Sequence, residues 1–118
     1  MLAASRVAHF GAGMLGGEAG QAGLAAWAMA VAGRVDGFYV AFDLDALDEA
    51  GGWAVAMPEP GGLSLATAVS AVGILASAAA ATRLGLLGFG ATAAMVGHGR
   101  DDAATVQAIA TLAEAALA

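Results

Sequence analysis

The chain has 118 residues, of which 60% are apolar and 12% charged, with a formal net charge of −6. One domain or part of one fits that length, and the low charge fraction predicts surface that a partner covers. Four Arg and no Lys cannot build a basic patch, so nucleic acid is not an expected ligand, and with no Cys there is no disulfide framework, thiolate nucleophile or thiolate zinc site. The absence of Cys fits a reducing cytoplasm.

In chain order, Val7 to Phe10 is a short apolar run ending at Gly11 and reads as a buried strand. Arg6 followed by Val7 to Leu15 is a weak signal-peptide pattern, interrupted by His9 and by Gly pairs, and is not read as one. Leu24, Trp27, Ala28 and Val31 fall at helical spacing and predict a helix that Gly33 stops.

Phe38 to Phe42 is an aromatic and β-branched run ending in acid, the signature of a second strand. Ser64 is placed to cap a helix whose Leu65, Val69, Val72 and Ala76 share a face. From Pro60 to Thr82 the sequence carries no charge, which raises a membrane span, but Ser64, Thr67, Ser70, Gly73 and Ser77 dilute it and favour burial against a sheet.

Leu84 to Phe89 reads as a third strand, weakened by Gly85 and Gly88. Asp101 and Asp102 open a last helix, where the helix dipole favours negative charge, with Val106, Ile109, Ala113 and Leu117 as its expected buried stripe. Strands alternating with helices predict an α/β fold with a parallel sheet of about three strands and ligands beyond the carboxyl ends of those strands.

The segment Phe42-Asp43-Leu44-Asp45-Ala46-Leu47-Asp48 puts three acids where a strand runs out. If the extended conformation continues, Asp43 and Asp45 share a face, and their mutual repulsion is relieved by a divalent cation. The competing reading is a pair of solvated loop acids, with Asp48 making a turn or cap.

Phe38 to Asp48, followed by Pro58-Glu59-Pro60-Gly61-Gly62-Leu63-Ser64, resembles the last signature of the arginase, agmatinase and formiminoglutamase (ureohydrolase) family. That pattern is a strand ending Ser-Phe-Asp-x-Asp-x-x-Asp-Pro, then a loop ending Gly-Thr-Pro-x-Pro-Gly-Gly-Leu-Ser or Thr, then a helix. The resemblance implies a three-layer arginase-like fold, of which residues 1–118 are a single partial domain, the carboxyl-terminal portion. It also implies two Mn2+ ions with Asp43 and Asp45 among their ligands, and a hydroxide on the metals that attacks guanidino or amidino carbon in a small-molecule substrate. Asp48, Pro58, Pro60, Gly61 and Gly62 would shape the loop, and a homo-oligomer is expected of the full-length family.

The family's Gly-Gly-x-His and Asp-Ala-His-x-Asp segments, which supply the other ligands, do not occur in the sequence, so the expectation is a chain inactive alone. Glu49 and Met57 stand where the family has Pro and Thr, and Gly88 to Ala93 resembles a Gly-Phe-Asp-x-x-Glu segment that has lost both acids. Two other readings compete. Gly11-Ala12-Gly13-Met14-Leu15-Gly16 has the glycine spacing of an NAD- or FAD-binding module, with Asp43 as a ribose ligand. A non-catalytic or membrane-associated packing fragment is the other. His9 reads as a strand residue, and His98 lies in a Gly-flanked loop; neither is tied to Asp43 by spacing.

Overall fold

The computed structural model describes residues 7–97 and 101–118. Its elements are α1 (Ala12–Leu15), α2 (Glu18–Ala32), β1 (Phe38–Asp43), α3 (Leu65–Ala79), β2 (Leu86–Thr92) and α4 (Asp102–Leu117), with two 3-10 turns at Leu44–Ala46 and Glu49–Gly51. β1 and β2 pair in parallel, Val40 beside Phe89 and Asp43 beside Thr92, with an irregularity between Phe38 and Tyr39. A parallel pair needs a long crossover, and α3 supplies it. The fold is α/β, a small parallel sheet flanked by helices, as expected.

The helices start where their sequences offer caps. Ser64 accepts a hydrogen bond from the Thr67 N–H at 3.1 Å, and Asp101 from the Ala104 N–H at 2.9 Å, each satisfying an orphan donor of the first turn. α2 has no side-chain cap and ends at Gly33.

The core gathers Leu44, Leu47, Val55, Ala68, Val72, Leu112 and Ala116, with Phe42, Leu65, Val69 and Phe89 packed against it. α4 buries Thr105, Ala108, Leu112 and Ala116, one residue out of phase with the expected stripe. Val106 and Leu117 are exposed, and Ile109 and Ala113 are half-buried. Leu112 and Ala116 meet Ala68 and Val72 of α3 in the core, while Thr105 is engaged by the Ala54 N–H.

Val7 to Phe10 is not a strand. The segment is coil, Val7 is exposed, and Phe10 leaves the run to pack its ring against Trp27 of α2, centroids 5.9 Å apart. Among the described residues the sheet therefore has two strands rather than about three. The glycine-spaced segment consequently follows no strand, and α1 is a single turn, so the phosphate-facing strand–turn–helix of a dinucleotide module is not formed. α3 has 15 residues, about 22 Å at 1.5 Å per residue, and no helix among the described residues is long and apolar enough to cross a membrane.

Candidate metal centre

Leu44 and Leu47 decide how the acidic segment lies. Both are fully buried, three residues apart, and their side chains pull the chain out of the extended conformation into a 3-10 turn. The acids between and around them stay toward the surface, with Asp43 exposed and Asp45 and Asp48 half-buried. The expectation that Asp43 and Asp45 share a face by strand alternation is thus corrected: β1 ends at Asp43, and Asp45 sits in the turn. What links them is a hydrogen bond, with Asp43 Oδ1 accepting from the Asp45 N–H at 2.9 Å.

Asp45 is fixed from elsewhere. Its Oδ1 accepts from the Met57 N–H at 2.8 Å, and the neighbouring Ala56 N–H donates to the Ala93 carbonyl at 2.9 Å, just past the end of β2. Residues 54–57 therefore tie the acidic turn to the exit of the other strand. Ala54 anchors the segment underneath through its N–H to the buried Thr105 Oγ1 at 2.8 Å. The Met57 and Thr105 contributions are not legible in the sequence. The first acts through a backbone donor that no side-chain pattern announces, and the second spans 51 residues of chain.

Asp48 uses both carboxylate oxygens inside the protein. Oδ1 caps the second 3-10 turn at the Ala50 N–H, 2.8 Å away, and Oδ2 accepts from the Gly61 N–H at 3.0 Å. Around it the backbone runs as a short ladder, Leu63 N–H to Ala46 carbonyl and Asp48 N–H to Leu63 carbonyl, each 2.8 Å. Gly61 takes φ of +80°, which a side chain rarely adopts. At Gly62 a Cβ would lie 2.5 Å from the Ala46 carbonyl oxygen, so only glycine lets the Pro58-Glu59-Pro60-Gly61 loop close on the acidic segment.

Asp43 and Asp45 each commit one oxygen to a backbone N–H. Among the described residues no hydrogen bond reaches the second oxygen of either. The ion pair present among those residues, Arg83 with Asp36, precedes β2 and β1 and so lies at the opposite end of the sheet. Among the described residues no ion pair reaches the two carboxylates, which stand beyond the carboxyl ends of the strands, where α/β sheets bind ligands. The fit to a metal pair is nevertheless incomplete: the described residues gather no group of three or more His, Cys, Asp and Glu. Two carboxylates do not fix the geometry of two ions. His9 is exposed in the coil before α1, and His98 lies outside the described residues.

The residues at the end of β2 beside Asp43 carry no charge. Thr92 is the register partner of Asp43, and Ala93 follows it with φ of +71°, the one non-glycine residue among those described in the left-handed region. Met57, Met95 and Val96 are exposed around the same strand exit.

Comparison with known proteins places this geometry in context. The sequence model of the Arginase family matches residues 15–89. Among solved structures, the chain is similar to an arginase from Bacillus subtilis at TM-score 0.69 and 20% identity, covering 83% of this chain and 34% of that one. It is similar to the arginase from Bacillus caldovelox at TM-score 0.62 and 22% identity, covering 83% and 31%. The agmatine ureohydrolase of Thermoplasma volcanium follows at TM-score 0.60 and 22% identity, covering 80% and 29%. The chain spans about a third of the length of these structures, and at such identities the likeness is one of fold. Comparison with curated protein sequences finds no match.

Proposed function

The chain belongs to the arginase family, and from that premise we propose that it forms the carboxyl-terminal part of a manganese-dependent hydrolase of guanidino or amidino compounds, with Asp43 and Asp45 among the metal ligands. The observation that carries the reading is the state of these two carboxylates: each is oriented by one backbone N–H and keeps its second oxygen free of hydrogen bonds among the described residues. Ligating carboxylates are held in this way, by hydrogen bonds from outside the coordination shell. Asp48 is assigned to the loop and not to the metal, because both its oxygens are engaged.

On this reading the remaining ligands come from polypeptide outside these 118 residues, and the chain alone is inactive. The work of its own residues is positional. Met57 and Asp43 orient carboxylates and turn, and the glycine loop holds both in place. Thr92 and Ala93 themselves offer no carboxylate to pair bidentately with a planar cation, which favours substrates other than arginine and agmatine.

The test is release of urea or ammonia from a panel of guanidino and amidino compounds, by this chain alone and by this chain assembled with the rest of an arginase-family fold, with manganese present. Turnover by the assembly and none by the chain alone is the expected result. Turnover by the chain alone, or an assembly that binds manganese and hydrolyses no member of the panel, overturns the proposal.

A further inference from the structure

Among the described residues, Asp43, Asp45, Asp48, Asp101 and Asp102 each have a carboxylate oxygen held by a backbone N–H. Asp36 does not. Its side chain is 74% exposed and meets the Arg83 guanidinium at 3.7 Å, a solvated pair too weak to fix it. Asp36 is also the one aspartate followed by glycine, and the sequence has no Asn. The Gly37 N–H has no hydrogen-bond acceptor among the described residues. Glycine fits this position because a Cβ would lie 3.0 Å from both the Gly85 carbonyl oxygen and Cγ of Leu87. With no side chain beside it, the Gly37 nitrogen is open to the neighbouring carboxyl carbon.

We propose that Asp36-Gly37 is a modification site, at which the chain isomerises through a succinimide to an isoaspartyl linkage. The Gly37 nitrogen attacks Cγ of the protonated Asp36 carboxyl, and the N–Cγ bond closes a five-membered imide. The amide proton and the carboxyl hydroxyl leave as one water. Water then adds back to the ring. Opening at Cγ restores aspartate, whereas opening at the α-carbonyl leaves the main chain running through Cβ and Cγ, with the α-carboxylate as the side group. The net change is an isomerisation, and the product is the substrate of S-adenosylmethionine-dependent methyltransferases specific for isoaspartyl carboxylates.

The bonds around the dipeptide set the consequence. The Asp36 carbonyl accepts from the Leu84 N–H at 2.6 Å, and the Phe38 N–H donates to the Gly85 carbonyl at 3.0 Å, so both sides are pinned to the segment entering β2. An isoaspartyl linkage adds one main-chain atom between these bonds and takes the Leu84 acceptor off the main chain. The added length falls beside the pairing irregularity between Phe38 and Tyr39, and the regular register from Tyr39 to Asp43 lies beyond it. The entry to both strands loosens while Asp43, at the far end, keeps its place. This inference stands apart from the metal reading.

The experiment ages the purified chain at neutral pH and body temperature, and ages a second sample in urea. Isoaspartate is counted by enzymatic methylation and located by peptide mass spectrometry, with hydrogen exchange followed throughout. Expected is isoaspartate at Asp36 in the native chain, at a rate within about tenfold of the unfolded one, as for a loop whose local opening costs little. The isomerised chain should exchange the Phe38 and Leu84 amides about fivefold faster, the scale of one lost hydrogen bond, with α4 still protected. Asp36→Glu keeps the charge and abolishes the methylation, because the larger ring closes far more slowly. Isoaspartate in urea but none in the native chain, methylation that survives Asp36→Glu, unchanged Phe38 and Leu84 exchange, or α4 amides unprotected before ageing overturns the proposal.

Discussion

Oδ1 of Asp45 accepts the backbone N–H of Met57 at 2.8 Å, across twelve residues of chain. The bond joins the turn after β1 to a segment that also reaches the exit of β2, so the carboxylate is held by a tertiary link as well as by its own turn. Replacing Asp45 with Ala removes the acceptor from a solvent-exposed bond, at a cost of about 0.5–1.5 kcal/mol because water meets the freed donor. Asp45→Asn keeps an oxygen acceptor and costs less, while removing the charge. Urea denaturation of the two variants checks the order.

Gly62 is the point of closest approach between the proline-glycine loop and the acidic segment. A methyl group there meets the Ala46 carbonyl oxygen and the Asp48 N–H, 2.5 and 2.8 Å from the added Cβ. Gly62→Ala is expected to destabilise by about 1–3 kcal/mol, the range for forced overpacking. The neighbouring Asp48→Ala loses two accepted hydrogen bonds, and because both variants loosen the same loop, the double variant should cost less than the sum. A double-mutant cycle by denaturant titration measures this.

Thr105 is fully buried on α4, with Oγ1 accepting from the Ala54 N–H and donating to the Asp101 carbonyl, both at 2.8 Å. Thr105→Val preserves shape and removes both bonds, leaving a buried N–H without a partner. The expected loss is about 1–3 kcal/mol, and the Ala54 amide should exchange faster with solvent.

Ala93 holds φ of +71° with its carbonyl fixed by Ala56. An L-residue in this region costs roughly 1–2 kcal/mol, which glycine does not incur. Ala93→Gly should therefore leave the protein as stable or about 1 kcal/mol more stable, after the entropy glycine adds to the unfolded chain. Thermal unfolding decides the sign.

Much of the fold is legible in the sequence because local signals agree with tertiary need. Ser64 and Asp101 are cap residues directly before apolar helices, and both cap in the structure. Phe38 to Phe42 has strand composition and ends in acid, and β1 runs Phe38–Asp43. Where the signals fail, a tertiary term wins. Val7 to Phe10 is apolar enough for a strand, but the segment is coil and Phe10 packs its ring on Trp27 of α2. On α4 the larger aliphatics suggest one stripe, yet the buried one is Thr105, Ala108, Leu112 and Ala116, with Thr105 engaged by the Ala54 N–H and Ile109 half-buried against the core.

At the site, the motif locates the acids while the geometry depends on what the motif's leucines do. Leu44 and Leu47 enter the core, so the turn begins one residue after Asp43 and strand alternation does not reach Asp45. Periodicity cannot foresee that, since it treats the run as extended until a breaker appears, and Leu44 is no breaker.

The central claim is that Asp43 and Asp45 bind metal together with ligands from outside this chain. Its most direct test is equilibrium dialysis of Mn2+ against this chain assembled with the rest of the fold, compared with the same assembly carrying Asp43→Asn and Asp45→Asn. The account predicts manganese retained by the unaltered assembly and an affinity lowered at least tenfold in the substituted one. Equal binding by both would contradict it.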